Sequence, residues 1–156
     1  MLFRSKMPVF YNVVHAVGQN CPNMSDDVKL VQYFLKSLYT KLPQSKPGGE
    51  IQVTGACDSV TMNWILRFQT QAAHDYPGKI LVDNRIDRIR QKDFIGSMSH
   101  TVYTLAALNA SCMNYCPEAW IATPSLIHLE NPLNVPPPSW DVVESTPQVV
   151  PASGGM

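Results

Sequence analysis

Four cysteines and four histidines are the residues of this chain best suited to chemistry, and their spacing bounds what that chemistry can be. Cys21, Cys57, Cys112 and Cys116 form an even set, which allows either disulfides or a metal site. Cys112 and Cys116 stand one helical turn apart. With no second Cys pair and no His-x-x-x-His beside them, they read as buried thiols rather than metal ligands. His15, His74, His100 and His128 are scattered. No Ser sits in a Gly-x-Ser-x-Gly elbow and no Gly-x-x-x-x-Gly-Lys phosphate loop occurs. Asp26-Asp27, the one pair of adjacent carboxylates, falls at a helix start, where the dipole accounts for it. No metal, cofactor or catalytic set is expected, so the chain reads as a binder or scaffold and not as an enzyme.

Charge and hydropathy narrow the partners. Lys and Arg number 12, as do Asp and Glu, so the formal charge is zero and no field draws in a polyanion. Arg85, Arg88, Arg90 and Lys92 are interrupted by Asp83, Asp87 and Asp93, which turns a phosphate patch into a self-compensated surface. Nucleic acid is not an expected partner. No apolar run approaches the ~20 residues needed to span a bilayer, so membrane insertion is not expected either. Arg4 and Lys6 precede Val9 to Val14, but that run is short, broken by Asn12 and His15, and lacks a small-residue cleavage site, so no Sec signal is expected. Work outside the cytoplasm, in the bacterial envelope or in an assembled particle, would then need a route without a cleaved leader.

The elements that must position these side chains are mainly helical. Residues 8–17 are β-branched and aromatic and predict an extended segment lying against a core. Ser25 offers an N-cap, with Asp26 and Asp27 in the first turn. Val28, Val31, Leu35, Leu38 and Leu42 then recur at spacings of three and four, which predicts a helix ending before Pro43. Residues 43–50 make a flexible connection, and Ile51, Val53 and Thr54 predict a short strand closed by Gly55. Asp58 or Ser59 caps a second helix with Thr61, Ile65, Phe68 and Ala72 on one face and Trp64 beside them, stopped by Pro77-Gly78. Residues 80–87 read as an extended piece and a turn. A third helix is expected from Ser97 or Ser99 to Cys116, with Val102, Leu105, Leu108 and Cys112 facing the core and Pro117 ending it.

The sum is a small three-helix bundle over residues 18–116, with long loops and short extended segments, an extended N-terminal arm (1–17) and a proline-rich extended tail (117–156). No repeat of 20 to 50 residues suggests a solenoid. Cys21 and Cys57 each stand in a loop just before a core helix. Crossed helices can bring such loops together, so a Cys21–Cys57 disulfide is expected if the protein meets an oxidising compartment.

The first helix carries Asp26-Asp27-Val28-Lys29-Leu30-Val31-Gln32-Tyr33-Phe34-Leu35, the second Thr61-Met62-Asn63-Trp64-Ile65-Leu66-Arg67-Phe68-Gln69, with Val53-Thr54-Gly55 between them. Over residues 18–110 this order resembles the peptidoglycan-binding-like domain, with its Asp-Val-x-x-Val-Gln-x-x-Leu helix, Gly-containing turn, Thr-x-x-x-Ile-x-x-Phe-Gln helix and final Asp-Gly motif. Leu81-Val82-Asp83-Asn84-Arg85-Ile86-Asp87 stands in place of that last motif. Asn84 replaces the glycine, and asparagine tolerates a left-handed backbone. The connection over residues 88–98 is longer than the family pattern. The resemblance implies a non-catalytic module that attaches to murein.

Each matched residue also has a structural role to fill. Gln32 and Gln69 sit beside core positions, where buried amides must find partners, and loop backbone is the expected one. Thr61 suits capping or packing. A peptide-glycan ligand needs polar groups and aromatic faces in a shallow groove, which Tyr33, Trp64, Tyr76, Asp83 and Arg85 could supply. A wall module usually accompanies an enzymatic domain, and residues 117–156 are too few and too proline-rich to be one. The alternative is a structural or adaptor subunit of a multiprotein particle, such as a phage tail, contractile injection apparatus or secreted-toxin complex. Its arms would bind neighbouring protein subunits through Trp120, Leu126, Ile127, Trp140 and Val142.

Overall fold

The computed structural model describes residues 10–90, 102–123 and 133–135, and the fold is mainly helical. In order the elements are β1 (Phe10–Asn12), β2 (Val17–Gly18), α1 (Ser25–Lys41), a 3-10 turn (Pro43–Ser45), α2 (Ser59–Asp75), β3 (Arg85–Ile86), α3 (Thr104–Tyr115), α4 (Pro117–Ile121) and β4 (Leu133–Val135). Two antiparallel ribbons flank the helices. In one, β1 pairs with β4, Tyr11 opposite Asn134; in the other, β2 pairs with β3, Val17 opposite Ile86.

The helix stripes read from the sequence are buried. Val28, Val31, Leu35 and Leu38 of α1 lie in the core with Leu42 packed against it, and Thr61, Trp64, Ile65, Phe68 and Ala72 of α2 face the same interior. α3 sits at the centre. Residues Thr104 to Cys112 are buried in an unbroken run, and such all-round burial marks a helix enclosed by its neighbours. Its small residues Ala106, Ala107, Ala110 and Ser111 let those neighbours approach.

α3 begins later than expected. Val102 is extended, its N–H bonded to the Lys79 carbonyl at 2.8 Å in an isolated parallel bridge between Ile80 and Val102. Residues 97–101 lie outside the described part. No strand forms at Ile51 to Thr54, and the Thr54 N–H is taken by the Gln32 side chain and the Gln52 carbonyl. Ser25 does not cap α1 either. It lies within the helix, with Gly55 packed so closely against it that a Cβ at Gly55 would run into the Ser25 hydroxyl and carbonyl. Asp27 is buried, and its two oxygens accept the N–H groups of Val14 (2.9 Å) and His15 (3.0 Å), fixing the β1 to β2 turn on α1.

The largest correction concerns the two arms. Residues 11–17 lie against the core as expected of an extended segment, but as part of the folded body and not as an arm: Tyr11, Val13 and Val17 are buried, and Tyr11 is held at both backbone groups by the Asn109 side chain at 3.0 Å. Residues 117–123 are not tail. Pro117 ends α3 as expected, but it also occupies the first turn of α4, where its missing N–H costs nothing. α4 then drives Trp120 into the core, edge-on to Tyr11 at 5.4 Å, with its indole N–H donating to Asn109 Oδ1 at 3.0 Å. Trp120 therefore cannot serve as a partner-binding anchor. Leu126, Ile127, Trp140 and Val142 lie outside the described residues.

Candidate functional site

Two glutamines hold the loops that connect the helices. The amide nitrogen of Gln32 donates to the Ala56 carbonyl (3.0 Å) and the Thr61 hydroxyl (2.9 Å), and its oxygen accepts from the N–H groups of Thr54 (2.8 Å) and Gly55 (2.9 Å). Gln69 repeats the scheme on α2. Its nitrogen donates to Asp83 Oδ1, the Arg85 carbonyl and the Thr104 hydroxyl, and its oxygen accepts from Asn84 N–H at 2.8 Å. Each glutamine thus anchors a turn with a left-handed residue at its tip, Gly55 at φ 89° and Asn84 at φ 58°. Asn84 adopts the left-handed conformation that asparagine tolerates. β2 closes on this second turn so tightly that Gly18, at φ 129°, has no room for a side chain beside the Asn84 carbonyl.

The first network extends to the cap of α2. Asp58 accepts from the Thr61 N–H (2.9 Å) and from the Thr61 hydroxyl (2.7 Å), and that hydroxyl in turn accepts from Gln32. Thr61 is a capping residue, as its position suggested. The two bonds from Thr61 hold the Asp58 carboxyl below the usual aspartate range. A lowered folded-state value means the cap is fully in force above the ordinary aspartate value of about 4 and is lost as the pH falls through the lower folded one. Asp58→Ala is therefore expected to cost about 1 kcal/mol at neutral pH. The gap to the native protein should close in acid, which urea unfolding at neutral and acid pH would measure.

The cysteines are all free thiols. The expected Cys21–Cys57 bridge is absent: Cys21 Sγ donates to its own loop at the Gln19 carbonyl (3.3 Å), and Cys57 Sγ lies 3.5 Å from Met62 Sδ. Both loops are already fixed by hydrogen bonds, Cys21 N–H to the Gly18 carbonyl and Asp58 N–H to the Ala56 carbonyl. Cys112 and Cys116 are buried, and burial pushes the Cys112 thiol well above its usual range.

The five residues expected to form a ligand groove do not come together. Trp64 is 2% exposed, its indole donating to the Gly48 carbonyl at 3.0 Å and its ring edge-on to Tyr39, so it is a core residue and not a ligand contact. Tyr33 donates its hydroxyl to the Ala119 carbonyl at 2.7 Å and joins α1 to α4. Asp83 accepts from Gln69 and from the Arg85 N–H, while the Arg85 guanidinium pairs with Asp87 at 3.0 Å, so both serve the second turn. Tyr76 caps the end of α2; burial first, then the neighbouring Asp75 and Tyr115, push its hydroxyl far up.

A different cleft, of about 490 Å³, opens where the last turns of α1 and α3 meet the outer face of α2. Leu38, Leu42, Phe68 and Tyr39 form its apolar base, and Arg67, Gln71, Asp75 and Tyr115 its polar rim. The rim is ordered by its own bonds. Tyr39 donates its hydroxyl to Gln71 Oε1 at 2.7 Å, and the Ser45 carbonyl accepts from both Gln71 Nε2 (3.2 Å) and Arg67 Nε (3.3 Å). Burial raises the Tyr39 and Tyr115 hydroxyls, and Asp75 raises Tyr115 further, so both remain protonated donors. Arg67, Gln71 and Asp75 follow at intervals of four on α2, a signal present in the sequence but indistinguishable there from a solvated helix face. What distinguishes it is the apolar floor, supplied by the last turns of α1 and by Phe68 of α2 itself.

Among the described residues no group of three His, Cys, Asp or Glu side chains could hold a metal ion, and no helix is long and apolar enough to cross a membrane. Comparison of the chain with protein-family models, with curated proteins and with solved structures finds no match.

Proposed function

We propose that the chain is a non-catalytic recognition module of the peptidoglycan-binding-like kind, a three-helix body that attaches to bacterial cell wall through the cleft at Arg67, Gln71 and Asp75. The observation that carries this reading is the paired use of Gln32 and Gln69. The two glutamines on which the resemblance most depends each lock a downstream turn, in the same order along the chain. The cleft adds the mixture of apolar base and few polar groups that suits a small polar ligand. Its one acid and imidazole pair, His74 and Asp75, is 3.7 Å apart with the His74 side chain 89% exposed, an arrangement better suited to binding than to proton transfer. The module would act in the bacterial envelope, with murein rather than nucleic acid as its partner.

The alternative role, a structural or adaptor subunit of an assembled particle, draws support from Ile121. It is 64% exposed at the end of α4. An exposed apolar side chain of this size suits a neighbouring protein subunit.

Co-sedimentation with purified murein sacculi separates the two. The native protein is expected in the pellet, and the double variant Arg67→Ala/Asp75→Ala, which leaves the core untouched, severalfold less so. Native protein found wholly in the supernatant would remove wall binding and leave the subunit reading.

A further inference from the structure

We infer that the cleft binds a short extended peptide, its carboxylate on Arg67 and its amine at Asp75. This rests on the wall-recognition reading and names the peptide, not the glycan, as the part of the polymer that is read. Eight residues separate Arg67 from Asp75 on α2. At about 1.5 Å of rise per residue the two charges lie about 12 Å apart along the axis. An extended chain advancing about 3.4 Å per residue covers that span with three to four residues.

The polar groups have the polarity such a ligand requires. Arg67 uses Nε on the Ser45 carbonyl, and among the described residues its two terminal nitrogens carry no hydrogen bond, which leaves the fork open for bidentate capture of a carboxylate. Asp75 keeps a 32% exposed side chain whose neighbour His74 stands off at 3.7 Å, so it can receive an ammonium group. Between them Gln71 is immobilised at both ends, by Tyr39 and by Ser45, so it meets the ligand without having to be ordered first. The apolar base of Leu38, Leu42 and Phe68 can take small side chains. The two rings at the base are too enclosed to stack on a sugar, with Tyr39 1% and Phe68 5% exposed, which leaves only the half-buried Tyr115 at the rim.

The test is a titration followed by amide and side-chain NMR, using tetra-alanine with free ends in its all-L and all-D forms. One of the two is expected to shift the Gln71 side-chain amide and the Arg67 Nε–H. Amidating the peptide C-terminus, or the Arg67→Gln variant, should weaken binding about tenfold, and acetylating the N-terminus or Asp75→Asn should do the same. Arg85→Gln, outside the cleft, should change nothing. Millimolar peptide of both chiralities without a shift, or equal affinity for the amidated form, would overturn the inference. Protein that pellets with sacculi yet ignores the peptides would overturn this inference alone. Peptide binding by protein that ignores sacculi would uphold the site and sink the wall reading.

Discussion

Replacing Trp120 by Ala is expected to lower the unfolding free energy by about 3 to 5 kcal/mol, the cost of an aromatic cavity in a closed core. Trp120 is 1% exposed, packs edge-on against Tyr11 and donates to Asn109. No other part of α4 buries comparable surface. The same reasoning applies to shortened chains. A chain ending at Cys116 loses Trp120 and the Ala119 carbonyl that receives the Tyr33 hydroxyl, and with total stability of only about 5 to 15 kcal/mol it should unfold or become molten. A chain ending at Thr123 keeps both and should unfold cooperatively. Urea titrations followed by far-ultraviolet circular dichroism would compare them. Equal stability for the two shortened chains would show that α4 does not belong to the folded body.

Asn109→Ala is expected to cost about 3 to 4 kcal/mol, although it removes only a small polar side chain. Asn109 is fully buried and makes four bonds: its oxygen accepts from the Tyr11 N–H and the Trp120 indole, and its nitrogen donates to the carbonyls of Tyr11 and Leu105. The first three partners lose their bond inside the protein, where each unsatisfied group costs about 1 to 3 kcal/mol before relaxation or water entry reduces the sum. Asn109→Asp should fall between native and Ala at neutral pH. It restores the acceptor for Tyr11 and Trp120 but sets a carboxylate oxygen against two carbonyls. Burial favours its neutral form, so this variant should gain stability relative to the native protein as the pH is lowered. Since Asn109 and Trp120 share a bond, combining Asn109→Ala with Trp120→Phe should cost less than the two separately. Strict additivity would show that the bond contributes nothing.

These two residues mark the boundary between what local sequence can and cannot convey. Asn109 lies in an alanine-rich helix and reads as an ordinary interior position; its role is set by Tyr11, 98 positions away. Gln32 and Gln69 were legible because each sits on an apolar helix face, where an amide must be satisfied by something close at hand. Their partners lie only 14 to 35 positions off, within the loops the helices frame. The proposed ligand residues failed for a related reason: an aromatic near a stripe edge, such as Trp64, is equally consistent with core and surface. The register of α2 against α1 and the loop at Gly48 settled that it is core.

By itself the sequence determined the helical stripes of α1 and α2, a cap of α2 at Asp58 or Ser59 and the anchoring use of the glutamines, since these follow from side-chain periodicity and local hydrogen-bond demand. Tertiary structure alone decided that the segments read as arms, residues 11–17 and 117–123, belong to the core, that the cysteine loops are held without a bridge, and that Arg67, Gln71 and Asp75 stand over an apolar base. The physical reason is that proline density and short length limit what a segment can do alone. They say nothing of the surface it meets, and here α3, buried from Thr104 to Cys112, provides that surface to both segments.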